Sequence, residues 1–249
     1  MKKITFFILL MMSFSSCEKD SKDANVIVDR SIEVSGGELF KKSTIAFDFR
    51  GRRYAARRYG GGFSLSRLII NSQDSIYDVL DNNSFTRFAN GQKMELEDSL
   101  VNKLKASVNS VHYFSVLPYG LNDRAVNKTY LNEVEIKGRS YFKIKVTFNE
   151  DGGGEDFDDE FIYWIDNKNF KVDYLAYSYN ENKGKGYRFR EAYNERYLSG
   201  IRFVDYNNYK PRNNEINLHD LDILFEKNEL DLLSKIELKN ITVSTEATQ

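Results

Sequence analysis

The sequence predicts a mainly β domain of the α+β class, with a large curved antiparallel sheet and about two helices, one of which the sheet wraps around. Many short runs alternate apolar and polar residues with a period of two, and only two segments show the helical period. The 249 residues are 14% aromatic and contain only 2 Pro, so the chain can bury a large core. This composition excludes collagen-like, proline-rich and disordered proteins.

Two segments have the period of an amphipathic helix. Residues 26–34 place Ile27, Val28 and Ile32 at helical intervals, and Gly36-Gly37 then provide a stop. The second helix is predicted near residues 96–111, with Asp98 or Ser99 close to its start. Its apolar stripe consists of Leu96, Leu100, Leu104, Val108 and Val111.

Between these helices the sequence predicts an antiparallel meander, because each strand-like run ends at a turn rich in Gly, Asn or Asp. The predicted strands are residues 45–49, 52–58, 63–70, 75–80 and 85–88.

The second half continues with strands. Over residues 142–148, Phe142, Ile144 and Val146 alternate with Lys143 and Lys145, which predicts one buried face and one exposed face. Residues 219–233 are expected to form a helical or irregular cover before a last strand through 236–243. Between residues 148 and 219, further strands are predicted at residues 161–165, 172–179, 187–193 and 201–206.

The N-terminus has the pattern of an export signal. Lys2 and Lys3 precede a short apolar run, and Phe14-Ser15-Ser16-Cys17 resembles a bacterial lipobox, in which the cysteine is acylated after cleavage. An ordinary signal peptide with an incidental cysteine is the alternative. Cys17 is the only cysteine, so it can form neither an internal disulfide nor a cysteine-rich zinc site. We therefore expect a signal peptide at 1–16, a lipidated Cys17 with a polar tether over 17–25, and a single domain over 26–249.

The run from Asp159 to Asp166, which ends in Tyr163-Trp164-Ile165-Asp166, is followed by a turn and a second strand over 172–177. This strand–turn–strand segment resembles the hairpin of the LolA/LolB-like lipoprotein-carrier superfamily. Within this superfamily the sequence is similar to an uncharacterised lipoprotein family of Gram-negative bacteria, which residues 35–37, 117–123 and 188–190 also fit. The resemblance implies a half-barrel whose apolar concave face, beneath the helices, takes an acyl chain or another hydrophobic ligand. Because Cys17 would anchor the chain, a tethered receptor-like member fits better than a soluble shuttle.

The aromatic content supplies the candidate ligand-binding residues. A preformed apolar pocket gains affinity by burying ligand surface, although core packing is the simpler role for any one of these side chains. The candidate cavity residues are Tyr113, Phe114, Phe142, Ile144, Val146, Trp164 and Tyr174.

Two charged segments have alternative interpretations. Residues 150–160 hold seven carboxylates, which suit Ca²⁺, but the EF-hand spacing is missing and a solvated loop is favoured. The arginine-rich hairpin at 50–58 can grip phosphate, lipid head groups or an acidic partner, or form an exposed strand face. The net charge of −1 and the export signal exclude nucleic acid as a partner, and no cofactor or metal is expected.

Motifs of nucleophilic or metal-dependent hydrolysis are missing from the sequence, and nothing places His112 or His219 in a triad. The sequence therefore predicts a non-enzymatic outer-membrane lipoprotein, facing the periplasm or the cell surface, that binds a lipid or acyl chain. The alternative is an interaction module or accessory subunit of a cell-envelope complex with a filled core; a hydrolase is the third hypothesis.

Overall fold

The structure is a computed structural model that describes residues 22–154, 157–181, 184–213 and 215–245. The expected signal peptide and Cys17 lie outside this part of the chain. Within it, fourteen strands form two seven-stranded antiparallel sheets that do not close into a barrel. The predicted fold class is confirmed, with the strands divided between two sheets.

The first sheet consists of a six-stranded antiparallel meander, β1 to β6, with the distant strand β14 (Lys239–Thr245) beside β1. All five strands predicted for this region are present and pair with their sequence neighbours. The five predicted strands and a short sixth strand, β6, have the bounds β1 Ser43–Phe49, β2 Arg52–Tyr59, β3 Gly62–Ile70, β4 Ser75–Asp81, β5 Phe85–Ala89 and β6 Gln92–Lys93.

The second sheet has the order β13-β12-β11-β10-β9-β8-β7. Two of its strands differ from the expectation: β7 is absent from the sequence prediction, and β13 begins within the segment expected to be helical or irregular. The strands are β7 Val126–Ile136, β8 Arg139–Phe148, β9 Phe161–Asp166, β10 Val172–Glu181, β11 Gly184–Leu198, β12 Ile201–Pro211, β13 Leu230–Ile236 and β14 Lys239–Thr245, the last of which belongs to the first sheet.

Helix α1 (Ala24–Ser35) begins after Asp23, whose side chain accepts a hydrogen bond from the Asn25 amide, and ends at Gly36. Gly36 has φ 139°, and an added Cβ would lie 3.0 Å from the Phe40 ring, so this position requires glycine. The buried Ile27 and Val28 pack on the second sheet. The helix predicted for this segment is therefore confirmed.

Helix α2 (Asp98–Ser115) extends from the first sheet to the second. Val108 packs against the first sheet, whereas Phe114 contacts Tyr177 of the second. The predicted apolar stripe is only partly buried: Val108 is fully buried, whereas Leu100 is 41% exposed. Two shorter segments are α3 (Glu150–Gly153), with non-helical backbone angles at Asp151 and Gly152, and α4 (Leu221–Glu226).

Both faces of the second sheet are covered. We call the face towards α1 and α2 the inner face and the face towards α4 the outer face; each carries a separate hydrophobic cluster. The outer face was expected to be exposed on β8, but Lys143 is buried there and pairs with Asp222 of α4 at 2.8 Å. Across the described residues, no helix is both long and apolar enough to cross a membrane.

Candidate functional site

A cavity of about 840 Å³ lies between the inner face of the second sheet, the C-terminal half of α2 and the turn after β1. This volume falls within the range typical of small-molecule sites. Several of its lining residues, including Arg50, Asn109 and Leu233, are exposed, so the cavity has a mouth that opens to solvent. The site is therefore both large enough for a ligand and accessible to one.

The wall of the cavity is largely aromatic and aliphatic. Phe114 from α2 lies 5.7 Å from Tyr177, which stacks on Phe161 with ring centroids 5.2 Å apart. Strands β12 and β13 contribute Val204 and Ile236. Binding of the apolar part of a ligand to such a surface is favourable by about 25 cal/mol for each Å² of apolar surface removed from water.

Polar groups interrupt this wall at defined positions. The hydroxyls of Tyr113 and Tyr163 lie 3.4 Å apart, and burial raises the pKa of both, so each remains a neutral hydrogen-bonding group. Arg190 of β11 donates from Nη2 to the Tyr177 hydroxyl at 2.8 Å, and Asn208 of β12 donates to the Ser234 hydroxyl at 3.1 Å. The cavity is thus amphipathic.

The structure brings only some of the seven candidate cavity residues together. Tyr113 and Phe114 line the cavity. The three candidates from β8, Phe142, Ile144 and Val146, lie in the hydrophobic cluster of the same inner face but are not among the lining residues.

The other two candidates are on the opposite side of the sheet. Trp164 and Tyr174 pack in the outer-face cluster, where Tyr174 lies 5.6 Å from Phe225 of α4. Adjacent strand residues point to opposite faces, so Trp164 cannot share a face with its neighbour Tyr163. The structure therefore separates Trp164 and Tyr174 from the cavity.

A second pocket, of about 480 Å³, lies on the outer face beside α4. Within it, Lys143 forms an ion pair with Asp222, which also accepts a hydrogen bond from the Trp164 indole at 3.1 Å. His219 contacts Glu160 at 2.8 Å. The contacts of Asp222 attach α4 to the sheet.

Neither histidine has the surroundings of a catalytic base. Among the described residues, no Ser, Thr or Cys side chain hydrogen-bonds His112 or His219. Nε2 of His112 donates to the Ser66 carbonyl, and the ring is buried between Phe47 and Tyr54. The role of His112 is therefore to pack α2 against the first sheet.

The two charged segments have different surroundings in the structure. In the described part of the chain, no group of three or more His, Cys, Asp or Glu side chains is placed to hold a metal ion. Of the acidic loop, residues 155–156 lie outside the described residues, while Asp158 accepts a hydrogen bond from Asn180. The arginine-rich hairpin is divided: Arg53 pairs with Asp48, and Arg50 lies at the cavity mouth.

Sequence analysis did not single out Arg190 and Asn208 as site residues. Arg188 and Arg190 alternate with Tyr187 and Phe189, so a charged face on this strand was visible in the sequence. Only the structure shows that this face points inward, because both faces of the sheet are covered.

Solved structures with a similar fold include a LolA superfamily protein, NE2245, from Nitrosomonas europaea, with a TM-score of 0.46, 10% identity and coverage of 89% of this chain and 91% of that one. A DUF1329 family protein from Desulfovibrio piger ATCC 29098 is similar with a TM-score of 0.43 and 7% identity, over 90% of this chain and 95% of that one. No curated protein matches the chain. The sequence matches a family of unknown function over residues 2–238, and the chain therefore belongs to that family, DUF6503.

Proposed function

We propose that this protein is an exported lipoprotein that binds a hydrophobic ligand, a lipid or an acyl chain, in the cavity between α2 and the inner face of the second sheet. The observation that supports the proposal is the cavity of about 840 Å³ with its aromatic wall. A space of this size favours ligand binding over the alternative of an interaction module with a filled core. The arrangement supports a binding role rather than catalysis.

The binding proposal is tested with the chain carrying Cys17→Ser, so that acyl groups of the protein itself do not enter the cavity. N-phenyl-1-naphthylamine, a neutral apolar dye, should bind and gain fluorescence. Lipid extracted from the Cys17→Ser protein, purified from the soluble fraction of its native host without added lipid, should be detectable by mass spectrometry. The absence of both dye binding and co-purified lipid would contradict the proposal.

A cavity-filling substitution locates the binding site. Ile236 lines the cavity and is half-buried, so Ile236→Trp should reduce the space available and weaken dye binding about tenfold. Leu232 lies on the same strand, is 53% exposed and is not part of the lining, so Leu232→Trp is the matched control. Equal binding by both variants would place the dye elsewhere.

We further propose that Cys17 is acylated and anchors the protein to the outer membrane. Each buried acyl CH₂ contributes about 0.8 kcal/mol, so several chains on one cysteine hold a protein stably. Cys17→Ser should release the protein into the soluble fraction, whereas Ser21→Ala in the tether should leave it membrane-bound. Retention of the Cys17→Ser protein in membranes would contradict the anchor.

A further inference from the structure

Arg190 is a buried cation within the wall of the cavity. It lies on β11, opposite Leu175 and Asn208 in the neighbouring strands, and is 8% exposed. Its guanidinium carbon lies 4.2 Å from the ring centroid of Phe114 and 5.0 Å from that of Tyr177. The charged group is therefore held among aromatic side chains rather than at the exposed mouth.

Arg190 differs from the other buried arginines in its surroundings. Arg67 pairs with Asp78 at 2.7 Å, and Arg202 pairs with Glu195. Within the described residues no carboxylate forms an ion pair with Arg190, and its buried Nε has no hydrogen-bond partner. A buried charge without a counter-charge is costly, even with the contribution of cation–π contacts. An anionic group bound in the cavity would supply both the missing charge and the missing acceptor.

Asn208 adds a second polar position beside Arg190. Its Oδ1 is buried without a partner while Nδ2 donates to Ser234. The amide can also turn over, with the Ser234 hydroxyl donating to Oδ1 and Nδ2 turned towards the ligand. The charges around the cavity favour an anion, because three of its four charged lining residues are arginines. They are Arg50, Arg188 and Arg190, with Asp159 as the fourth.

We infer that the ligand is an anionic amphiphile, in which a carboxylate or phosphate attached to an acyl chain pairs with Arg190 while the chain lies along the aromatic wall. This inference rests on the proposed function, since it names the class of ligand for the same cavity. The guanidinium can donate two parallel hydrogen bonds to either anion, so the recognised chemistry is the charged head group.

The test measures displacement of N-phenyl-1-naphthylamine from the Cys17→Ser chain by three sixteen-carbon compounds: palmitate, hexadecyl phosphate and the uncharged hexadecanol. In the Arg190→Gln variant, the dissociation constants of the two anions should rise about 10- to 100-fold, the usual effect of losing hydrogen bonds to a charged group. That of hexadecanol should change less than about twofold. Arg190→Lys, which keeps the charge but not the paired donors, should lie between the two. Arg212 is an exposed arginine outside the cavity lining, and Arg212→Gln should change none of the three constants.

Hexadecanol binding by Arg190→Gln also shows that the variant is folded. Equal weakening of all three compounds would overturn the inference, because Arg190 would then only shape the wall. Unchanged binding of both anions would overturn it as well. If the dye does not bind the parent chain, the proposed function fails together with the inference. If the dye binds but neither anion displaces it, the inference alone fails. Comparison of palmitate with hexadecyl phosphate separates carboxylate from phosphate ligands, and inorganic phosphate alone should not displace the dye.

Discussion

The burial of His112 predicts that the protein loses stability in mild acid. The ring is 1% exposed, and burial, together with the charges of Arg58 and Arg67, lowers its pKa to about 4 from the usual 6.5. The hydrogen bond from Nε2 to the Ser66 carbonyl opposes this shift only in part. The folded protein therefore holds the imidazole neutral, whereas the unfolded chain takes up a proton near pH 6.5.

The sign and size of the effect follow from proton linkage. Below the unfolded pKa of about 6.5 the unfolded state binds an extra proton, so the free energy of unfolding falls as the pH decreases, until the folded state is also protonated near pH 4. Each pH unit within this window corresponds to about 1.4 kcal/mol. Between pH 8 and pH 5 the expected loss from this single group is about 2 kcal/mol.

Urea unfolding at pH 8 and pH 5 measures this loss. Trp164, the only tryptophan, is fully buried and should report unfolding by its fluorescence. His112→Gln keeps a hydrogen-bond donor but cannot titrate, so its loss between the two pH values should be smaller than that of the parent protein by about 2 kcal/mol. His219→Gln, which removes the other histidine, should retain the loss due to His112. Equal losses in the parent protein and in His112→Gln would refute a buried neutral imidazole.

Two further predictions concern buried charges. Asp78 is fully buried and accepts hydrogen bonds from Arg67 and Arg87, so Asp78→Ala should lower the free energy of unfolding by about 3–5 kcal/mol. The control, Asp231→Ala, breaks an exposed aspartate–arginine pair and should lower this free energy by less than about 1 kcal/mol in the same urea assay. A comparable loss in both variants would contradict the importance of burial. Arg190→Met removes a buried charge that has no ion-pair partner, so the free energy of unfolding of the lipid-free protein should stay unchanged or rise. A decrease in this free energy of more than about 2 kcal/mol would indicate that Arg190 has a structural role instead.

The parts of the fold that sequence analysis predicted depend on local patterns. The meander of the first sheet was visible because β1 to β5 alternate with a period of two and turn residues separate them. Helix α1 was predicted because its apolar interval and the Gly36 stop lie within a few residues of each other. Strand β7 was missed, since its burial is mixed and several of its side chains are exposed at the sheet edge.

The candidate site was less predictable because it depends on contacts between distant segments. Periodicity shows that Tyr163 and Trp164 face opposite ways, but it does not show which face encloses a cavity. The packing of the helices decides this: α2 encloses the cavity on the inner face, and α4 packs against the outer face. Lys143 illustrates the same limit. A lysine on an alternating strand predicts a solvent-exposed side chain, yet Lys143 is buried and forms an ion pair with Asp222 of α4, far along the chain. Whether Arg190 has an ion-pair partner likewise depends on distant residues, and periodicity does not show which of them lie beside it.

The last two strands join the two halves of the molecule, because β13 pairs with β12 in the second sheet and β14 pairs with β1 in the first. Ser43 of β1 therefore finds its partner, Thr245, roughly 200 residues later in the chain. During synthesis, one edge of β1 stays without its neighbour until almost all of the described residues have been made. Contacts this distant in sequence slow folding, and an unpaired strand edge promotes association between chains. The order of the strands thus makes the nascent protein dependent on protection from aggregation until its C-terminal segment is available.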